Sequence, residues 1–270
     1  MKTRPLATTL ALASCLAPLT LGLGNDQEGQ ALAQAVHERP DGRDAAVKST
    51  MFLEEEGHKA RVRELFMYRL ERGEGELRSF IRFTAPAQID GVSLLTHDEA
   101  GATSQQWLYL PELGKTRRIA ASGNGGRFVG SDYFYEDLQD REVALDEHRY
   151  LGEKDLDGTI CAVLESIPRE SKNSVYSKRV AWIHRDSQIP LQILFYDSNA
   201  ESPVKIFRVH KIEKMQGYWT VMDSTMRDVK TGHKTRIVVR KIRYDLALPE
   251  ELFGVGGLED PNWEKKYRPQ

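Results

Sequence analysis

The chain has 270 residues, 40% hydrophobic and 29% charged, enough apolar material for one large core in a single domain. Its 38 Lys and Arg against 40 Asp and Glu leave a formal net charge of −2. With no long basic run, that balance argues against nucleic acid or an anionic membrane surface as the main partner.

The first residues, MKTR and then an apolar stretch from Leu6 to Leu23, have the positive start and short hydrophobic core of a secretory signal over 1–24. Thr8, Thr9, Ser14, Pro18 and Thr20 dilute that stretch too much for a membrane anchor. Export from the cytoplasm follows, leaving 25–270 as one domain. Leu12-Ala13-Ser14-Cys15 resembles a lipobox that would acylate Cys15, and cleavage around Gly22 to Asn25 is the other reading. In both cases Cys161 has no second thiol to pair with, and its β-like surroundings make it a small buried hydrophobe.

Glu28 to Arg39 predicts a helix with Leu32, Ala35 and Val36 on one face, stopped by Pro40-Asp41-Gly42. From there the apolar period becomes two. Strands are expected over Val47–Leu53, Arg61–Leu70, Leu77–Thr84, Gln106–Leu110 and Lys115–Ala120, with Gly57 and Gly73 to Gly75 in the early turns. A glycine-rich loop follows, Ser122 to Gly130, and then a short helical turn over Asp132 to Leu138. Further strands are expected near Val143–Leu151, Thr159–Ile167, Lys178–His184, Ile189–Tyr196, Val204–Lys211, Trp219–Asp228 and His233–Tyr244, and the tail NWEKKYRPQ reads as frayed. The fold class is mainly β (α+β), about eleven antiparallel strands, a size at which an open sheet bends into a half-barrel.

Chemistry is hard to find in this pattern. The seven histidines show no HxH or HExxH spacing and no paired cysteines accompany them, so no metal site is expected. GNGGRFVGS lacks the GK[ST] ending of a phosphate cradle, and no GxSxG elbow occurs, so no cofactor and no catalytic residue is assigned. Glu136, Asp137 and Asp140 read as a capped, solvated turn.

Apolar alternation is abundant: Phe66 and Tyr68, Ile81 and Phe83, Trp107 and Tyr109, Ile193 and Phe195, Met222, Ile237 and Val239. These residues are either ordinary core or the wall of a ligand cavity, and two short helical pieces are little material to cover so broad a face. Gly123, Gly125, Gly126 and Gly130 make the loop inexpensive to rearrange, and Phe128, Tyr133 and Phe134 give it an apolar surface. That combination describes a gate. Lys115, Arg117 and Arg118 are either headgroup contacts or a solubilising edge.

WLYLP, a basic strand, a glycine- and serine-rich loop and FVGSDYFYEDL follow one another, with DGVSLLTH before them and SVYSKRVAWIHRDSQIPLQILFYD and GYWTVMDSTMRD after. This order resembles the LolA-like family of outer-membrane lipoprotein-sorting proteins. The resemblance implies an unclosed β-barrel with a helical lid, a monomer whose partner is lipid or an acylated lipoprotein. A periplasmic accessory protein that exchanges lipid with a membrane transporter is the alternative, and a lipid-ester hydrolase a third reading. No residue matches the family's donor-contact or lid-closing positions, so none is carried over.

Overall fold

A computed structural model describes residues 21–73, 75–198 and 201–269. The expected signal segment up to residue 20, with Cys15, lies outside the described residues, as do single turn positions at 74 and 199.

Six strands run outward as a meander: β1 (Asp44–Glu54), β2 (Arg61–Gly73), β3 (Glu76–Ala85), β4 (Ser93–Asp98), β5 (Gln105–Leu110) and β6 (Lys115–Ile119). Residues 120–145 then cross to the far edge. From there seven more strands return: β7 (Asp146–Leu156), β8 (Thr159–Pro168), β9 (Lys178–His184), β10 (Pro190–Tyr196), β11 (Lys205–Met215), β12 (Tyr218–Asp228) and β13 (Lys234–Tyr244). β13 pairs with β1, so the order is β6-β5-β4-β3-β2-β1-β13-β12-β11-β10-β9-β8-β7, a 13-stranded sheet with β6 and β7 as its open edges.

The expected count of about eleven strands falls short mainly at β4. Its neighbours Leu94 and Leu95 are both fully buried, one on each face, so the strand shows no alternation to read.

Register divides the side chains between the two faces. Leu65 pairs with Phe83 and Met67 with Ile81 on one face, while Phe66 pairs with Arg82 and Tyr68 with Phe80 on the other. The first face is the inner one. Phe128 of the crossover packs among Leu65, Phe83 and Leu94, and Tyr133, five residues further on, packs with Phe195 and Met226. Five residues span at most about 18 Å, whereas β3 and β10 would stand about 29 Å apart in a flat sheet. The sheet therefore curls around the crossover.

Helix α1 (Leu21–His37) lies on the same inner face at the β7 end, with Leu32, Ala33 and Val36 against Leu164, Ala181 and Ile183. It starts ahead of the expected Glu28. Gly29 is required where it meets β7, since a Cβ there would fall 2.6 Å from the His148 carbonyl oxygen. The second expected helical piece is only a 3₁₀ turn, Glu136–Leu138, beside an isolated bridge between Arg127 and Phe134.

The C-terminal segment is not frayed. Leu248, Leu252, Phe253 and Leu258 close over Ala46, Phe66, Tyr68, Phe80 and Leu95 on the outer face. Arg82 fixes this strap by donating to the carbonyls of Asp260 (2.6 Å), Gly257 and Leu258 (both 3.0 Å), and Glu264, wholly buried, accepts from Arg268 at 2.5 Å. Charged lettering hid this role, because the tail's cations and carboxylates partner the sheet and one another instead of facing water.

Candidate functional site

The crossover is the distinctive part of the inner face, and it is held there by buried polar contacts. Asp132, fully buried, accepts from His233 Nδ1 at 2.6 Å, Thr235 Oγ1 at 2.7 Å and Arg127 Nη1 at 2.8 Å. Glu136 accepts from Ser174 Oγ at 2.5 Å, the Val175 amide at 2.6 Å and Arg179. Asp137 takes the Tyr176 hydroxyl at 2.8 Å, the Phe134 amide at 2.7 Å and the Lys205 ammonium at 3.2 Å. Glu136 and Asp137 are thus not a solvated turn. Each anion is buried and shares its charge with a cation or several donors, as burial of a carboxylate demands.

Lys205 is itself 2% exposed and sits 2.9 Å from the centre of the Phe134 ring. Burial pulls its ammonium below the ordinary lysine range, against the opposing pull of Asp137. Burial likewise pushes the phenols of Tyr133 and Tyr176 up, so both stay neutral donors.

The expected cavity residues split between the faces. Ile81 and Phe83 lie inside against Phe128, with the Phe83 and Phe128 rings 5.6 Å apart. Ile193, Phe195 and Ile237 lie inside with Tyr133 and Phe134. Met222 and Val239 share that face by alternation with Ser224 and Ile237, and both are half-buried. Phe66, Tyr68, Trp107 and Tyr109 do not join them: they face outward beneath the C-terminal strap. Their inner counterparts are Leu65, Met67, Leu108 and Leu110. Alternation alone fits either face, and nothing in β2 or β5 marks which set looks inward.

Beyond the crossover an apolar strip continues across four central strands. Met67 pairs with Val47, Ser49 pairs with Val239, and Met222 follows on β12. Val47, Met67, Met222 and Val239 are half-buried. Ser49 Oγ lies buried in the strip with no hydrogen-bond partner among the described residues. The strip can take apolar material and one polar contact. No cluster of three or more His, Cys, Asp or Glu able to hold a metal ion occurs among the described residues. Nor is any helix among them long and apolar enough to cross a membrane.

A family model described as an uncharacterized protein matches residues 75–260. Among solved structures, the chain is similar to a domain from Vibrio parahaemolyticus described as an outer membrane lipoprotein-sorting protein: TM-score 0.82, 27% identity, 87% of this chain and 100% of that one. It is equally similar to a DUF1329 family protein from Desulfovibrio piger, with TM-score 0.82 and 28% identity over 87% and 99% of the two chains. A LolA superfamily protein from Nitrosomonas europaea shares the fold at TM-score 0.67 and 17% identity, over 84% of this chain and 98% of that one. No curated protein sequence matches.

Proposed function

The chain belongs to this LolA-like family of outer-membrane lipoprotein-sorting proteins, and from that premise we propose that it is a non-enzymatic periplasmic carrier of lipid or lipoprotein acyl chains. The observation that carries the reading is the strip Val47, Met67, Met222 and Val239, apolar yet only half covered, on the inner face of an unclosed sheet. A sixteen-carbon chain laid against such a surface gains on the order of 12 kcal/mol gross, which is what moving it through water requires.

In this reading the crossover is the movable cover. Phe128, Tyr133 and Phe134 pack on the sheet, while polar pins and one isolated bridge, not a strand ladder, hold the segment. Displacing it would extend the strip to Ile81, Ile193, Phe195 and Ile237.

The test is mass spectrometry of lipid extracted from the purified protein, beside Met222→Asp and Val239→Asp. Wild type should carry lipid in near-stoichiometric amount, and the two variants, which place a carboxylate in the strip, should lose it while keeping their circular dichroism. Unchanged lipid in folded variants would remove the strip from the site.

A further inference from the structure

The outer face carries a second feature that the inner groove does not use. Over β11, β12 and β13, a shallow groove of about 500 Å³ is lined by Arg208, Arg227, Lys234, Arg236 and His210, with Glu54 as the one carboxylate on its wall. Asp157 engages Arg208 and Asp223 engages Arg236 from its margins. Arg227 and Lys234 are different. They are direct register partners on neighbouring strands, both exposed, and neither side chain has an ion-pair or hydrogen-bond partner among the described residues. Like charges placed opposite each other cost stability, and the one carboxylate facing the pair is Glu54, the register partner of Lys234 across the β1 seam.

We propose that this groove docks the protein on the phosphate headgroups of an anionic membrane. Three observations select that occupant. The cations spread over three adjacent strands in two directions, an array that suits a plane of phosphates. β11 to β13 are interior strands whose backbone groups are spent on their neighbours, so an added peptide strand has no edge to pair with and only side chains are on offer. And in a chain whose net charge is −2, Arg227 and Lys234, without an ion pair among the described residues, give this face a local attraction toward a negative surface. Docking through the outer face leaves the inner face free, so the proposal stands whether or not the inner strip carries lipid.

The experiment is vesicle flotation with the full chain, using vesicles of phosphatidylglycerol mixed equally with phosphatidylcholine and vesicles of phosphatidylcholine alone. Binding should appear only with phosphatidylglycerol and weaken as salt rises. Arg227→Ala and Lys234→Ala should each lower partitioning about fivefold, and the double variant about twenty-five-fold. Lys115→Ala with Arg118→Ala, removing two cations from the β6 edge, should change nothing. Equal losses in that control would mean diffuse charge attraction and would overturn the groove, as would equal binding to neutral vesicles. Capture of soluble polyglutamate with no vesicle binding would make the partner an acidic peptide and overturn it too.

Discussion

Asp132 and His233 meet at 2.6 Å between Oδ2 and Nδ1, joining the crossover to the entrance of β13 across 101 residues of chain. Asp132 has no exposed surface, so Asp132→Ala strands Arg127, His233 and Thr235 without their shared acceptor. Arg127 keeps Asp228, so the loss is that of buried donors left unsatisfied, roughly 1–3 kcal/mol. Urea unfolding should show that loss, and amide exchange over 122–138 should accelerate more than in β10. Exchange in the crossover no faster than in the wild type would mean that apolar packing, not the polar pins, holds it.

A second expectation concerns the two faces. Tyr68→Ala on the outer face should cost about 3–5 kcal/mol by leaving a cavity under the strap, with lipid per folded molecule unchanged. Trp107→Ala should behave alike, to a smaller degree. Loss of lipid in either, without loss of fold, would place the binding face on the wrong side of the sheet.

The strap makes its own prediction. Glu264→Ala should cost on the order of 3–5 kcal/mol, because Arg82, 2% exposed, then loses the one carboxylate beside it. Deleting residues from Leu246 onward should uncover Phe66, Tyr68 and Trp107 and raise binding of a hydrophobic dye. A truncated chain that melts like the wild type and binds no dye would show that the strap is dispensable.

Asp98 sets a pH dependence. Burial pushes its carboxyl up to about 6, and neither carboxyl oxygen has a hydrogen-bond partner among the described residues. The folded chain therefore holds this proton more tightly than the unfolded chain does. Near pH 4 the group costs little, and the penalty grows as pH rises through 6. Asp98→Asn should stabilise the protein by up to about 3 kcal/mol above pH 6 and hardly at all near pH 4. An equal gain at both pH values would mean that charge at Asp98 is not what matters.

Most of the sheet was legible because alternation such as Ile81 and Phe83, or Ile193 and Phe195, is the direct imprint of one covered face. What could not be read were the contacts that only closure creates. Phe66 and Phe83 look alike as letters, and the choice between faces depends on residues 246–268, which pack against β2 to β5 only after folding. Glu136 and Asp137 looked solvated for the same reason: their partners Arg179, Tyr176 and Lys205 lie about 40 to 70 residues further along the chain. The glycine loop was visible as an oddity, but nothing local revealed that it crosses the inside of the sheet.

The strand order has a consequence for how the molecule assembles. Every pair of neighbouring strands except β1 and β13 is consecutive in the chain, so β1–β6 and β7–β13 can each grow by local hairpins with little loop entropy to overcome. The β1–β13 seam, where Thr50 meets Val238, is the single ladder that must wait for distant chain. The two arms thus share a single strand ladder, with helix α1 and the C-terminal strap packing across it on either face. A nick within the crossover would leave both arms and the zipper whole, so fragments 21–124 and 125–269 should find each other in solution, whereas a nick within β1 or β13 would cut the one backbone ladder between them.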